Sequence, residues 1–578
     1  MKGIWILGDA YKNYTADQDK TVPPEKTLED ARRRFAGLGL DILKETMRID
    51  NGRLDIPVYF SVCGSDAQAL TGTSKQMGKG ATPQQAEASA VMELVERFSF
   101  YSFVARPENF TEATFRELGE NALDFQHIAQ SVHDDSEDLE AARRVFENLE
   151  LKWAEGFNLT ADRPVLVPFE WFFAINEFNG TSAGNCPEEA LCQGICEIVE
   201  RHVSDLVWEN RLPVPGIDPD SADDLMVKQM LSKYRKNGIK IYVSDFTLDT
   251  GIPTVGVLAW DPQTFPEKSE IVWTAGTAPD PRKAFSRALS ETAQLAGDFN
   301  SGANYVASGL PKLSSLSRAE FVTDPDRVLG IKELPDLSDA NILTEIKRCI
   351  ARLSETGLEV ISIDTTHPGL GIPAFYTMAP GARFRERARA ASVGMFCARL
   401  VAEKYEPGRA AEELEKMDRI LPGKYYVKFY LGKVYLESGL CETAISQFNQ
   451  ALDSGPHSQD IPSIYSFLGQ AYKESGKYAE ALKCARAGLK YDKERTDLFN
   501  LAGFCHYMMK QHEAAIENFA RAVELNPSSA IDYANLAVNY RESGDTETAV
   551  AYFRIALELD PALTVAKDNL ERLTGKRA

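Results

Sequence analysis

Two hydrophobic periods divide this chain. Up to about residue 400, short alternating or continuous apolar runs are separated by longer stretches with helical spacing. Residues 58–63, 165–169, 239–244, 255–260 and 358–364 read as strands, because β-branched and aromatic residues recur there at period two. A further strand is expected near the N-terminus, and residues 28–40 read as a helix. Residues 61–65 should lead into a sheet edge, ahead of a turn at Gly78-Lys79-Gly80. Residues 108–150 are acidic and helical, with an exposed break at His133-Asp134-Asp135, and Ala379-Pro380-Gly381 forms a turn. The strand at 165–169 is expected to deliver the segment that begins at Gly184.

From about residue 423 the period lengthens. Gly432, Tyr435, Ala444, Phe448, Ala451 and Pro456 are followed by Gly469, Tyr472, Ala481, Ala485 and Gly488, with Lys493 in the proline's place. Gly503, His506, Ala515, Phe519, Ala522 and Pro527 come next, then Ala537, Tyr540, Ala549, Phe553, Ala556 and Pro561. The starts differ by 37, 34 and 34 residues, the tetratricopeptide period with a short insertion near His457. No unit can bury its apolar face alone, so four units and a terminal helix over 562–573 predict one solenoid. Its concave surface suits a peptide or protein, a reading preferred to the alternative that the repeats only stabilise the preceding domain or its oligomer. Met508 and Met509, at a helix end, read as packing residues.

The densest chemistry lies in a repeated segment. Residues 80–97 read G-A-T-P-Q-Q-A-E-A-S-A-V-M-E-L-V-E-R, and residues 184–201 read G-N-C-P-E-E-A-L-C-Q-G-I-C-E-I-V-E-R, with seven of eighteen positions identical. Thr82 and Pro83 mark a helix start. Glu93, Glu96 and Arg97 then share one helix face with Ser89 a turn earlier, as Glu197, Glu200 and Arg201 do in the second copy. A weaker third copy keeps Pro281, Ala284, Arg287, Glu291 and Gln294 at matching offsets. If the copies face each other, four carboxylates repel unless a hard cation such as Mg²⁺ sits among them, and the arginines then suit phosphate oxygens. Two other readings use the same residues: charge-paired surface helices, and a two-metal hydrolase in which Arg97 and Arg201 have less to do.

These motifs resemble the nucleotide-binding signature of the YcaO family. The resemblance rests on Ser89-x-x-x-Glu93-x-x-Glu96-Arg97, on Asn185, Glu189, Gln193 and Glu197-x-x-Glu200-Arg201, and on Arg287, Glu291 and Gln294, with the Gly-Lys run around Lys79 upstream. It implies a mixed α/β (α+β) domain with internal pseudo-repeats over 1–400, and the charged helical pattern and the repeat period add a helical connector over 401–422 and an all-α tetratricopeptide solenoid over 423–578. It implies ATP and Mg²⁺ as cofactors, and activation of a peptide backbone amide by phosphorylation of its oxygen, leading to an azoline or a thioamide. Glu93, Glu96, Glu197 and Glu200 become Mg²⁺ ligands. Ser89, Arg97, Arg201 and Arg287 become phosphate contacts, the three arginines being the candidate catalytic groups. Asn185 and Glu189 become nucleoside or ribose contacts, and Lys79, Gln193 and Glu291 complete the nucleotide-binding set.

The family also places a nucleotide-contacting lysine and a serine in the first helix; here the nearest matches are Lys26 and, in the serine's place, Ala31. Azoline-forming members commonly finish in a proline-rich tail, whereas residues 573–578 read L-T-G-K-R-A, which weighs against the azoline outcome without touching the ATP site. One branch of the family assists methylthiolation of a ribosomal protein, so an accessory nucleotide-binding scaffold is the alternative function. The expected partners are a peptide or protein substrate, a ribosomal protein or a helper protein, held by the repeats; a homodimer is a further candidate.

Composition narrows the classes. A formal net charge of −21 excludes a generally basic surface for nucleic acid or anionic membrane, although a local basic patch remains compatible with it. The opening apolar run is too short for a signal peptide and no stretch approaches a membrane span, so a cytoplasmic protein is expected. Nine scattered cysteines fit reduced thiols, and Cys186, Cys192 and Cys196 read as helix packing, although a metal or redox role uses the same residues. His202, next to Arg201, reads likewise as packing, with an approach to the nucleotide as the alternative.

Overall fold

The computed structural model describes residues 7–16, 18–300, 310–384 and 391–575. The expected N-terminal strand falls in part on residues 1–6, outside the described residues. The chain forms two compact units, one of residues 1–135 and 147–391, the other of residues 136–146 and 392–578.

The first unit is α/β, and its described residues form three sheets. One is antiparallel, in the order Leu43–Arg48, Val58–Cys63, Lys75–Lys79. A second runs Val272–Thr277, Thr254–Trp260, Lys240–Asp245, Gly216–Ile217, Val328–Leu329, with only the last pair parallel. The third runs Phe110–Ala113, Leu151–Asn158, Ile361–Asp364, Ala374–Met378, Thr181–Ala183, with Arg163–Pro168 also paired to Leu151–Asn158.

Each sheet ends in an edge strand that feeds one long helix. Lys75–Lys79 leads to Pro83–Val104, Thr181–Ala183 to Pro187–Glu209, and Val272–Thr277 to Pro281–Ala296. All three helices carry proline at the first position, where its missing N–H costs nothing. Thr82 accepts from the Gln85 N–H and Asp280 from the Arg282 N–H, which fixes two of the starts.

The strand and helix of each unit touch at one point. A Cβ on Gly78 would stand 2.0 Å from Ala90 N and 2.5 Å from Ala86 O. A Cβ on Gly276 would stand 2.5 Å from both Ala284 O and Ala288 N, at the same offsets of eight and twelve residues. The middle unit exchanges the partners: Ser182 occupies the strand position and Gly194 the helix position, where a Cβ would lie 2.8 Å from Thr377 Oγ1 and 2.9 Å from Ser182 Oγ. Helix Pro187–Glu209 buries Leu191, Ile195, Val199, Val203 and Val207 as a continuous stripe, packed in one core with Trp273, Phe246 and the inner face of Ile342–Glu355. That stripe leaves the glutamates and arginine of the motif on the opposite face.

The second unit is helical. Val393–Lys404 and Pro407–Ile420, the stretch read as a connector, bury Phe396, Leu400, Leu414 and Met417 and pack against Tyr425–Glu437. Four helix pairs follow: Tyr425–Glu437 with Cys441–Asp453, Ile461–Glu474 with Tyr478–Gly488, Thr496–Met508 with His512–Leu525, and Ala530–Glu542 with Thr546–Leu559. Thr564–Thr574 closes the stack against Thr546–Leu559. Small residues admit aromatic rings between the paired helices, as where Gly432 meets Phe448 and Gly503 meets Phe519.

Several local expectations change. Residues 165–169 do not deliver the second motif, because Phe169–Asn176 folds as a helix that buries Phe169, Trp171, Phe172 and Ile175, leaving Thr181–Ala183 as the delivering strand. Gly78 and Lys79 belong to a strand rather than a turn, the glycine serving helix contact. Val58–Cys63 is the central strand of its sheet, not a lead into the edge. The first helix is Pro24–Leu38, moved toward the N-terminus by Pro24 in its first turn and stopped by Gly39 in the left-handed region. Residues 108–150 include the strand Phe110–Ala113. Met508 is exposed, whereas Met509 packs against Ala481, Leu482 and their neighbours.

Candidate functional site

A cavity of about 360 Å³ in the first unit is lined by all three motif helices. Lys79, Ser89, Glu93, Glu96 and Arg97 come from the first strand and helix, Asn185, Glu189, Gln193, Glu197, Glu200 and Arg201 from the second segment, and Arg287 and Glu291 from the third. Every residue singled out as a candidate site residue is therefore on its wall. Gln294, the third counterpart of Glu96 and Glu200, is there as well.

The first two copies keep the same internal geometry. Arg97 lies 3.9 Å from Glu93 and 3.7 Å from Glu96, and Arg201 lies 3.6 Å from Glu197 and 3.7 Å from Glu200. Each helix is also gripped by the strand of the next unit. Thr181 Oγ1 donates to Glu96 at 2.5 Å and accepts from Arg97 at 3.4 Å, while the Thr277 N–H donates to Glu200 at 3.1 Å. The Phe178 ring holds the Arg97 guanidinium from below, 4.5 Å from its centroid. Glu96 and Glu200 are thus the anchored carboxylates, and among the described residues Glu93 and Glu197 have only their own arginines at ion-pair range.

Crowding of like charges in a site screened from water shows in the proton affinities. Burial pushes the Glu96 carboxyl up to about 8 against the pull of Arg97, with Glu93 and Glu197 adding to the rise. Burial also raises Glu93 and Glu197, each helped by a neighbouring glutamate. Lys79 is pushed down to about 8 by burial and by Arg287, although it pairs with Glu291. Arg287 donates to Gln193 at 2.9 Å, but its Nε is buried with no hydrogen-bond partner among the described residues.

A model of the family described as YcaO cyclodehydratase, ATP- and Mg²⁺-binding, matches residues 77–383, more than half of the chain. This chain belongs to the YcaO family. Tetratricopeptide models match residues 468–530 and 533–563. An uncharacterized protein of Methanothermobacter thermautotrophicus is 29% identical over 383 residues, 63% of this chain and 94% of that protein. An uncharacterized protein in the tfuA 3′ region of Rhizobium leguminosarum bv. trifolii is 25% identical over 391 residues, 63% of this chain and 88% of that protein. A solved heterocyclase in complex with substrate and cofactor shares the fold with a TM-score of 0.55 at 24% identity, over 66% of this chain and 55% of that one.

ATP and Mg²⁺ are the cofactors of this YcaO protein, and its residues fit both. Among the described residues no three His, Cys, Asp or Glu side chains enclose a metal point by themselves. Glu93, Glu96, Glu197 and Glu200 on one wall offer the carboxylate oxygens that Mg²⁺ takes beside water and phosphate oxygens. The unused Arg287 Nε and the fork of Arg201 offer charged donors to phosphate oxygens.

Two positions correct the reading of the N-terminal region. Lys26 is half-buried and pairs with Glu29 and Asp30, and Ala31 is buried in the core; neither lines the cavity. Lys20 and Thr27 do, together with Gln18. Lys283 holds this segment in place by donating to the carbonyls of Thr15 and Ala16, and Thr21 donates to Glu189 from both its N–H and its hydroxyl. Glu189 also accepts from Asn185 Nδ2 at 2.8 Å, and Thr27 Oγ1 donates to Asn185 Oδ1 at 2.8 Å. The Glu189 carboxylate is thereby engaged with protein donors, and it fixes the wall of the cavity. His202 is not on the wall; its Nδ1 accepts from the Arg383 N–H at 3.0 Å. All nine cysteines are unpaired thiols, Cys196 buried and Cys186 and Cys192 half-buried on their helix. Among the described residues no helix is long and apolar enough to cross a membrane.

Proposed function

We propose that this YcaO protein uses ATP and Mg²⁺ to activate a backbone amide of a peptide or protein by phosphorylating the amide oxygen, with the tetratricopeptide repeats docking the substrate or a helper protein. The observation that carries this reading is the convergence of Glu93, Glu96, Glu197 and Glu200 with Arg97, Arg201 and Arg287 on one cavity wall. ATP supplies the phosphoryl group that turns a poor leaving oxygen into a good one. Arg201 and Arg287 hold phosphate oxygens and offset the negative charge that accumulates on them, while Arg97, fixed by Phe178 and Thr181, keeps the first pair of glutamates in register. Glu93 and Glu197, which among the described residues pair with their own arginines alone, take the metal-facing positions, and Glu96 and Glu200 orient them. Lys20 and Lys79 complete the cationic lining.

The reaction is tested with a library of cysteine- and serine-containing peptides, ATP and Mg²⁺. Peptide-dependent phosphate release is expected, with loss of water from the peptide by mass spectrometry, or exchange of oxygen for sulfur when sulfide is supplied. Phosphate release that no peptide alters, with every peptide mass unchanged, would contradict the proposal.

A further inference from the structure

The chain's strong negative charge is interrupted on one helix of the α/β unit. Leu225–Lys236 carries Lys228, Lys233, Arg235 and Lys236 and no acidic residue. Beside it a second cavity, of about 540 Å³, has Pro219, Ala222 and Leu231 among its lining and a rim of Lys228, Arg235 and Lys236 with the single carboxylate of Asp220. Ala222 and Leu231 are buried, so the floor is apolar and fixed, while the three basic side chains are exposed. Arg235 is spent on Asp220 at 2.7 Å and Lys233 on Asp55 at 3.2 Å. Lys228 and Lys236 have no ion-pair partner among the described residues.

We propose that this groove docks an extended acidic peptide segment. Lys228 and Lys236 are eight residues apart on one helix face, hence about 12 Å apart along the axis. In an extended chain, side chains at i, i+2 and i+4 share a face and the outer two are about 13 Å apart. Two carboxylates at i and i+4 therefore match the two lysines, and an apolar side chain at i+2 meets the floor of Pro219, Ala222 and Leu231. The recognised pattern is acidic-x-apolar-x-acidic. On a chain of net charge −21 this groove sets three basic side chains against the one carboxylate of Asp220, which favours an acidic segment here. The choice of a peptide as occupant rests on the activity proposed above; the groove lies apart from the ATP cavity, with which it shares no lining residue.

The test is fluorescence anisotropy of a labelled peptide containing Glu-Ser-Leu-Ser-Glu, with the full chain and no ATP, so that its outcome is independent of turnover. The parent is expected to bind this peptide and to bind the Gln-for-Glu peptide about tenfold or more weakly. The double variant Lys228→Glu/Lys236→Glu, at exposed positions that leave the core intact, is expected to lose at least as much. Equal binding of the two peptides, equal binding by parent and double variant, or tighter binding of a single-stranded oligonucleotide than of the peptide at the same salt would each overturn the proposal.

Discussion

The α/β unit and the helical unit are both built from repeats, and they use repetition for opposite ends. In the helical unit the copies contribute small residues that admit a side chain of a neighbouring helix, and what recurs is packing: Gly432 under Phe448, Gly503 under Phe519, and Gly469 against Leu501. In the α/β unit each copy contributes a strand, a close approach of helix to strand, and a polar helix face, and what recurs is charge delivered to one cavity. The contact that sets the spacing also differs. A helix glycine in the solenoid meets the edge of a ring, which can shift; Gly78 and Gly276 meet helix backbone, which cannot.

All six tryptophans lie within residues 1–391, so indole fluorescence follows the α/β unit alone and far-ultraviolet dichroism adds the solenoid. The largest effect is expected from Gly78→Val, because even a Cβ would stand 2.0 Å from Ala90 N. A loss of more than about 3 kcal/mol should abolish the folded tryptophan signal while much of the helical dichroism survives. Gly194→Ala should cost about 1–3 kcal/mol in urea unfolding followed by tryptophan, and adding Ser182→Gly, which recreates the pairing of the other two units, should recover part of it. No recovery would assign the cost to Thr377 Oγ1, 2.8 Å from the same Cβ, and not to the exchanged pair. Gly503→Ala brings a Cβ within 2.9 Å of the Phe519 ring but gains helix propensity, so its net change should stay within about 1 kcal/mol and leave the tryptophan transition unmoved.

A smaller effect concerns pH. Nδ1 of His367 accepts the N–H groups of Gly369 and Leu370 at 3.2 Å, and burial with Arg106 nearby lowers its proton affinity below the ordinary histidine value. The unfolded chain therefore takes up the proton first, and stability from this group, present above pH about 6.5, is lost as pH falls below it. The tryptophan-detected Tm should drop over that range, and His367→Asn, which keeps an acceptor, should flatten the drop. An unchanged slope in the variant would assign the acid sensitivity to other groups.

What could be read in advance follows the same division. Glu93, Glu96, Glu197, Glu200 and the arginines were legible because a helix places offsets of three and four on one face, so a repeated spacing is already a spatial statement. The solenoid was legible for the same reason, each unit contacting only its neighbours. Lys20 and Thr27 were not, since they reach the cavity through tertiary bonds to Lys283, Glu189 and Asn185 that leave no periodic trace. Gly78 looked like a turn residue because glycine marks turns and close approaches alike. The compensating pair Ser182 and Gly194 was hidden because each residue breaks the repeat taken singly.

The central claim is that two matched glutamate-arginine segments, far apart in the chain, share one Mg²⁺-nucleotide site. Titration calorimetry with a non-hydrolysable ATP analogue and Mg²⁺, on the parent and on Glu197→Ala, tests it most directly. The account predicts that the variant keeps the parent's tryptophan spectrum and loses at least about tenfold in affinity, as expected when a charged partner of a bound ion is removed. Equal affinity in a folded variant would contradict it.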